Sequence, residues 1–128
     1  MAKVSAGAAG EVLAARFLRD KGYTITASNV RSRFGEIDII AEDAQYIVFV
    51  EVKARSEGAF YAPREAVTLT KQRKIIGTAA LYLQRHPTKK QPRFDVIEIV
   101  TAKGAPMTVL ELDHLMGSYE TEGLHAAF

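Results

Sequence analysis

Cysteine is absent from this chain of 128 residues, which excludes disulfides, zinc thiolate sites and cysteine nucleophiles and permits a reducing compartment. No apolar run approaches the length of a membrane span. The first residues, Met1-Ala2-Lys3-Val4-Ser5-Ala6-Gly7-Ala8, lack the strongly apolar stretch of a signal peptide. A soluble, cytoplasmic protein is therefore expected. Internal repeats and low-complexity segments are missing too. Gly7-Ala8-Ala9-Gly10 is no phosphate loop, because it has neither the lysine nor the preceding strand; its small residues suit close helix packing instead.

What is present is ordinary globular composition, 48% hydrophobic and 25% charged, which fits one domain (residues 1–128) with a sizeable core. The net charge of +2 hides an uneven distribution. Residues 1–60 balance eight basic against eight acidic side chains, 61–94 hold eight basic and one acidic, and 95–128 hold one basic and six acidic. A middle segment of +7 suits a polyanionic partner, although a solvated basic helix face would look the same.

The spacing of Leu13 with Phe17 and of Ala14 with Leu18 predicts a helix over 5–21, ended by Gly22. Tyr23 to Ala27 alternates as a strand, Asn29 to Gly35 reads as a polar connection, and Glu36 to Ala41 as a second strand. Alternation puts Ile37, Ile39 and Ala41 on one face of it and Glu36, Asp38 and Ile40 on the other. Tyr46-Ile47-Val48-Phe49-Val50 is apolar on both faces, as in a strand covered on both sides. Phe60 to Arg64 reads as a loop in which Pro63 opens a short helical turn. Thr70 is a candidate cap for a helix burying Ile76, Ala79, Ala80 and Leu83 and stopped by Pro87. Lys89-Lys90-Gln91-Pro92 reads as a basic loop, Phe94 to Val100 as a strand, Lys103-Gly104-Ala105-Pro106 as a turn, and Thr108 to Leu112 as a short last strand. From Asp113 to Phe128 the pattern is weak, and a partly mobile tail is expected. The order describes an α/β sheet covered by helices.

Glu51-Val52-Lys53 is the most informative feature. Glu51 and Lys53 leave the strand on one face, so a carboxylate and an ammonium emerge together. With Asp43 and Ala44 as a two-residue hairpin turn, Asp38 falls opposite Phe49 and Glu36 opposite Glu51. Asp38 then lies diagonal to Glu51 on the same face, where the repulsion between two carboxylates is relieved by a divalent cation. A solvated hairpin with an ordinary ion pair is the plainer alternative. Charged residues in a strand otherwise buried on both sides argue against it.

Ile37-Asp38, twelve residues and then Glu51-Val52-Lys53, in this element order, resembles the PD-(D/E)xK nuclease superfamily, with Ile37 where the name has proline. Gly10-Glu11, Lys21-Gly22-Tyr23, Asn29, Gly35-Glu36-Ile37-Asp38, Phe49-Val50-Glu51-Val52-Lys53-x-Arg55, Glu65-Ala66-Val67, Lys71 and Phe94-Asp95-Val96 are similar to the YraN-like family of endonuclease-like proteins. This resemblance, over about residues 5–100, implies a restriction-endonuclease-like core: a mixed sheet flanked by helices, allied to Holliday junction resolvases. It implies Asp38, Glu51 and the Val52 carbonyl as ligands of magnesium or manganese. Lys53 would act on the attacking water and the phosphate, and Glu11 would be the first-helix acid of the resolvase-like branch. It further implies hydrolysis of DNA, possible selectivity for branched DNA, and a 5′-phosphate product. Cutting two strands of a junction symmetrically would call for a homodimer.

The remaining candidates carry less. Lys71, Arg73 and Lys74 open the second long helix, where phosphate contact is reasonable, and Arg31, Arg33 and Arg55 lie near the proposed site. Glu36 has a polar or structural role or binds a second ion; Asp95 assists from its strand or is a hydrogen-bonded strand acid. His86, His114 and His125 show no metal-cluster spacing and read as surface histidines. A non-catalytic nucleic-acid binding or scaffold protein is the rival function, and RNA is not excluded as a substrate.

Overall fold

The computed structural model describes residues 6–58, 67–103 and 108–120. The readings for Phe60 to Ala66, Gly104 to Pro106, His125 and the rest of 121–128 lie outside these residues. Seven elements follow in order: α1 (Ala6–Asp20), β1 (Thr24–Arg31), β2 (Glu36–Glu42), β3 (Tyr46–Ser56), α2 (Leu69–Arg85), β4 (Gln91–Thr101) and β5 (Val109–Tyr119). The strands form one sheet in chain order. All neighbours are antiparallel except β3 and β4, which run parallel because α2 carries the chain back between them. This is the α/β architecture expected, a mixed sheet flanked by helices.

Two apolar layers hold the helices to the sheet. On one face Ala14 and Leu18 of α1 meet Ile39, Val48, Val50, Ile97 and Ile99; on the other, Ile75, Ala79 and Ala80 of α2 meet Ile40, Ile47, Phe49 and Phe94. Residues 47–50 are buried throughout, as a strand covered on both faces requires. The first helix ends where Gly22 takes φ +99°, which lets the Tyr23 N–H reach back to the Leu18 carbonyl at 3.0 Å.

Several boundaries differ from the sequence pattern, each through pairing that the pattern does not display. The strand β1 runs on to Arg31, because Val30 and Arg31 pair with Ile37 and Glu36. The cap of α2 is Thr68 rather than Thr70, its hydroxyl accepting the Lys71 N–H at 3.2 Å. Gln91 and Pro92 belong to β4, paired with Tyr46 and Ile47, and β5 extends through Tyr119, so 113–119 are strand rather than tail.

The β2–β3 hairpin is also offset. Asp43 Oδ1 accepts the N–H groups of Gln45 and Tyr46, at 2.9 and 2.7 Å, and the Asp43 N–H bonds the Tyr46 carbonyl at 3.1 Å. The tip is therefore Ala44-Gln45, not Asp43-Ala44, and Ile39 pairs with Val50. The register differs by two from the expected one, and the pairing stops at Ile39 and Val50, so Asp38 and Glu51 follow the last pair on their two strands. Alternation then breaks. Ile37 packs in the α2 layer with Ile40, whereas Ile39 packs in the α1 layer, so Ile37 and Ile39 do not share a face as expected. Asn29, between the paired residues Ser28 and Val30 of the neighbouring strand, has φ +52° at the same level.

Two glycines mark the closest approaches. A Cβ on Gly10 would lie 2.9 Å from the Ala54 Cβ, and one on Gly77 would lie 2.9 Å from Phe34 Cγ. The first neighbour is fixed to a central strand. The second is a ring that is 41% exposed. Gly10→Ala is therefore expected to lower stability by about 1–2 kcal/mol despite alanine's better helix propensity, whereas Gly77→Ala stays within about 0.5 kcal/mol as Phe34 turns outward. Urea midpoints at unchanged m-value check both.

Candidate functional site

Asp38 and Glu51 meet just past the last β2–β3 pair. Asp38 Oδ2 accepts the Val52 N–H at 2.8 Å, which sets its carboxyl group beside that of Glu51. Burial lifts the Asp38 carboxyl to about 7, reinforced by the charges of Glu51 and Glu11, while the Val52 N–H pulls it down. Lys53 Nζ lies 3.1 Å from Glu51 Oε1, with both side chains less than a fifth exposed.

A second lysine completes the cluster. Lys71, in the first turn of α2, brings its ammonium close enough to Lys53 for the two cations to act on each other. Lys53, and then burial, hold the Lys71 ammonium below the usual lysine range. Burial works the same way on Lys53, but the neighbouring Glu51 and Asp38 carboxyl groups outweigh it and keep Lys53 above that range. Sequence spacing assigns Lys71 only to phosphate contact along the helix. Its place beside Lys53 depends on how α2 docks across β3.

Glu11 reaches Asp38 through its charge and is held by Asn29, whose amide nitrogen, oriented to satisfy both neighbours, donates to Glu11 Oε2 at 3.1 Å and Glu36 Oε1 at 2.9 Å. Glu36 also pairs with Arg31 at 3.5 Å. Among the described residues no three acidic or histidine side chains gather closely enough to enclose a metal ion. Asp38 and Glu51 provide two oxygen donors, with the backbone of Val52 between Glu51 and Lys53. Such a set suits a hard cation that keeps several waters, as magnesium does.

The other candidates disperse. Arg31, Arg33, Arg73 and Lys74 are exposed, with Arg33 against the Phe34 ring and Lys74 beside Gly35. Arg55 is half-buried, and its Nε finds no partner among the described residues. Asp95 does not join the site. It is fully buried, bound by Arg93 through two 2.9 Å bonds, by His114 Nε2 at 2.6 Å and by the Gly117 N–H at 3.0 Å. Burial opposes its charge, but His114, Arg93 and Gly117 together hold the carboxylate below its ordinary range. His114 is thus a core residue rather than a surface one, its side chain 4% exposed, its ring packed edge-on to Phe17 and Tyr23, and its Nδ1 2.9 Å from Lys21 Nζ. His86 is exposed, as expected.

Sequence reasoning missed Tyr119. Against Asp95 alone, β5 places Met116, Gly117 and Ser118, and this bulge, held by the Asp95–Gly117 bond, delivers Tyr119 onto Phe94 with ring centroids 4.9 Å apart. Its hydroxyl has no hydrogen-bond partner among the described residues, and burial with the charges of Glu51 and Asp95 keeps it protonated. A glycine and a serine just before an aromatic are the only signals for this bulge.

No helix among the described residues is long and apolar enough to cross a membrane. Residues 10–99, which include Glu11, Asp38, Glu51, Lys53 and Lys71, match the model of "Uncharacterised protein family UPF0102". A UPF0102 protein of Nocardia farcinica is 47% identical over 114 residues, covering 88% of this chain and 87% of the relative. One of Symbiobacterium thermophilum is 52% identical over 94 residues, covering 73% and 80%. One of Caldanaerobacter subterraneus subsp. tengcongensis is 40% identical over 118 residues, covering 91% and 96%. With its site residues inside the matched region and similarity along most of its length, the chain belongs to the UPF0102 family.

Proposed function

We propose that this chain is a metal-dependent endonuclease of the PD-(D/E)xK kind, hydrolysing phosphodiester bonds in DNA, with branched DNA as the preferred class. One observation carries the reading: two half-buried carboxyl groups, Asp38 and Glu51, lie close enough for each charge to act on the other, with Lys53 3.1 Å from Glu51 and Lys71 beside Lys53. A structural ion pair has no need of a second acid or a second lysine. Asp38, Glu51 and the Val52 carbonyl would hold magnesium or manganese. When bound, such a cation neutralises the acid pair, polarises a phosphoryl oxygen and lowers the pKa of a coordinated water.

The side chains divide the rest of the work. Lys53 faces the position of the attacking water and balances the negative charge that grows on the phosphate. Lys71 supplies a second cation to the same phosphate from the start of α2, where the unpaired helical N–H groups also favour an anion. Glu11, fixed by Asn29, adds a nearby negative charge that strengthens the site's preference for a divalent ion. Lys71, Arg73, Lys74 and Arg85, the cations of the basic segment that lie on α2, would draw a polyanion along that helix.

Cleavage of supercoiled plasmid, linear duplex and a four-way junction in magnesium or manganese tests this. Asp38→Asn, Glu51→Gln and Lys53→Ala are each expected to lower the rate at least about 100-fold, and Lys71→Met about 10- to 100-fold. DNA bound but uncut by the wild-type protein under every condition would replace the enzyme with the non-catalytic binding protein.

The raised Asp38 carboxyl predicts a pH signature without any substrate. Its ordinary value is 3.8 and its folded value about 7, so its contribution to stability is complete below about pH 4 and is lost as pH rises through 7. Asp38→Asn removes the penalty. It is expected to stabilise the metal-free protein by roughly 1–3 kcal/mol near pH 8 and by little near pH 4. Magnesium should raise the wild-type midpoint near pH 8 and leave the Asp38→Asn midpoint almost unmoved. Urea titrations with and without the metal read both effects.

A further inference from the structure

A groove of about 660 Å3 lies on the α2 side of the sheet, between β1 and the second half of α2. Arg31 and Arg33 border one end and Arg85 and His86 the other, with the hydroxyls of Thr26, Ser32 and Thr78 between them. Among the described residues no carboxylate lines it, and the two acids at its margin are paired with cations: Glu36 with Arg31, and Glu42, which also accepts from Thr26 Oγ1 at 2.6 Å, with Lys90 at 3.1 Å. The Tyr82 and His86 rings are stacked, their centroids 4.2 Å apart and their planes 20° from parallel. His86 Nδ1, 3.1 Å from the Tyr82 carbonyl, holds that stack in place. His86 is exposed.

We infer that this groove binds a single-stranded nucleic-acid segment, with the arginines on its phosphates and the Tyr82–His86 pair as the platform on which a base stacks. The inference rests on the endonuclease reading only for its link to the site. Charge alone would suit any polyanion, but a flat aromatic pair among cations suits a chain that alternates phosphate and base. The platform decides between single strand and duplex: a base can stack on the Tyr82–His86 pair only when it is free of its partner strand, as in single-stranded nucleic acid.

The groove and the carboxylates lie along the same helix, α2. The β1–β2 turn meets α2 at Lys74 and Gly77, and Lys71 stands one further turn toward the site. From Thr78 to Lys71 the helix rises about 10 Å, a span of a few nucleotides. A single-stranded arm seated in the groove would thus place a phosphate near Lys71 and Lys53. The preferred substrate becomes DNA in which one strand is peeled from its partner, as at a flap or an opened branch.

Fluorescence anisotropy in EDTA tests the groove apart from cleavage. The probes are a labelled oligothymidylate of about a dozen nucleotides, an abasic oligomer of equal length and a blunt duplex. Wild-type protein is expected to prefer the oligothymidylate to both. His86→Ala should weaken it about 5- to 50-fold and leave the abasic oligomer unchanged. Arg33→Ala with Arg85→Ala should weaken both single strands and reduce the salt slope by about 1.4. Equal affinity of wild type and variants for the oligothymidylate, or a preference for blunt duplex, overturns the inference. The two readings fail separately: metal-independent binding that obeys this pattern without any cleavage removes the endonuclease and keeps the groove, and cleavage with variant-insensitive binding does the reverse.

Discussion

Where β2 stops pairing with β3, the Asp38 carboxylate accepts the Val52 N–H at 2.8 Å, and much of the molecule's arrangement follows from that bond. An acid sits where a paired backbone would otherwise run on, and the alternation of β2 breaks there, sending Ile37 into the α2 layer. Asp38 is thereby drawn under the sheet's covering and against Glu51. Neither desolvation nor a like charge favours its ionised form, and a single N–H offsets only part of the penalty. Lys53, Lys71 and the indirect hold of Asn29 on Glu11 are gathered around this deficit.

Asp95 is the instructive contrast, because it is more deeply buried yet shifted the opposite way. Arg93, His114 and the Gly117 N–H saturate its oxygens, so its charge is satisfied by the protein itself. Such a group has nothing left to offer a ligand. Its contribution is mechanical, fixing the β5 bulge that carries Tyr119 onto Phe94. Two acids in one small sheet thus have separate uses: one locks an edge strand, and the other is left partly unsatisfied, the condition under which an added cation gains most.

The second helix connects the acid cluster to the cationic groove. Its first turn delivers Lys71 to the carboxylates, its middle receives the β1–β2 turn, and its last turn presents Arg85 and His86. The basic excess of the middle segment is therefore distributed along one axis rather than over a uniform face. A polyanion lying along α2 would meet cations at both ends.

The element types and the acid–lysine face were legible in the residues, because side-chain periodicity is a local property. Ala14 with Leu18, the doubly apolar run 47–50, and Glu51 with Lys53 need only the geometry of one helix or strand to be read. Register was less legible: the Asp43 side chain, by bonding Gln45 and Tyr46, moved the hairpin tip by one residue and ended the β2–β3 pairing at Ile39 and Val50, just before Asp38 and Glu51. Lys71 beside Lys53, His114 in the core, Asp95 on the other face and Tyr119 at the end of a bulge were decided by the tertiary structure alone. Each depends on contacts between segments distant in the chain, and burial, which decides whether a charge is shifted or satisfied, exists only after those segments have packed.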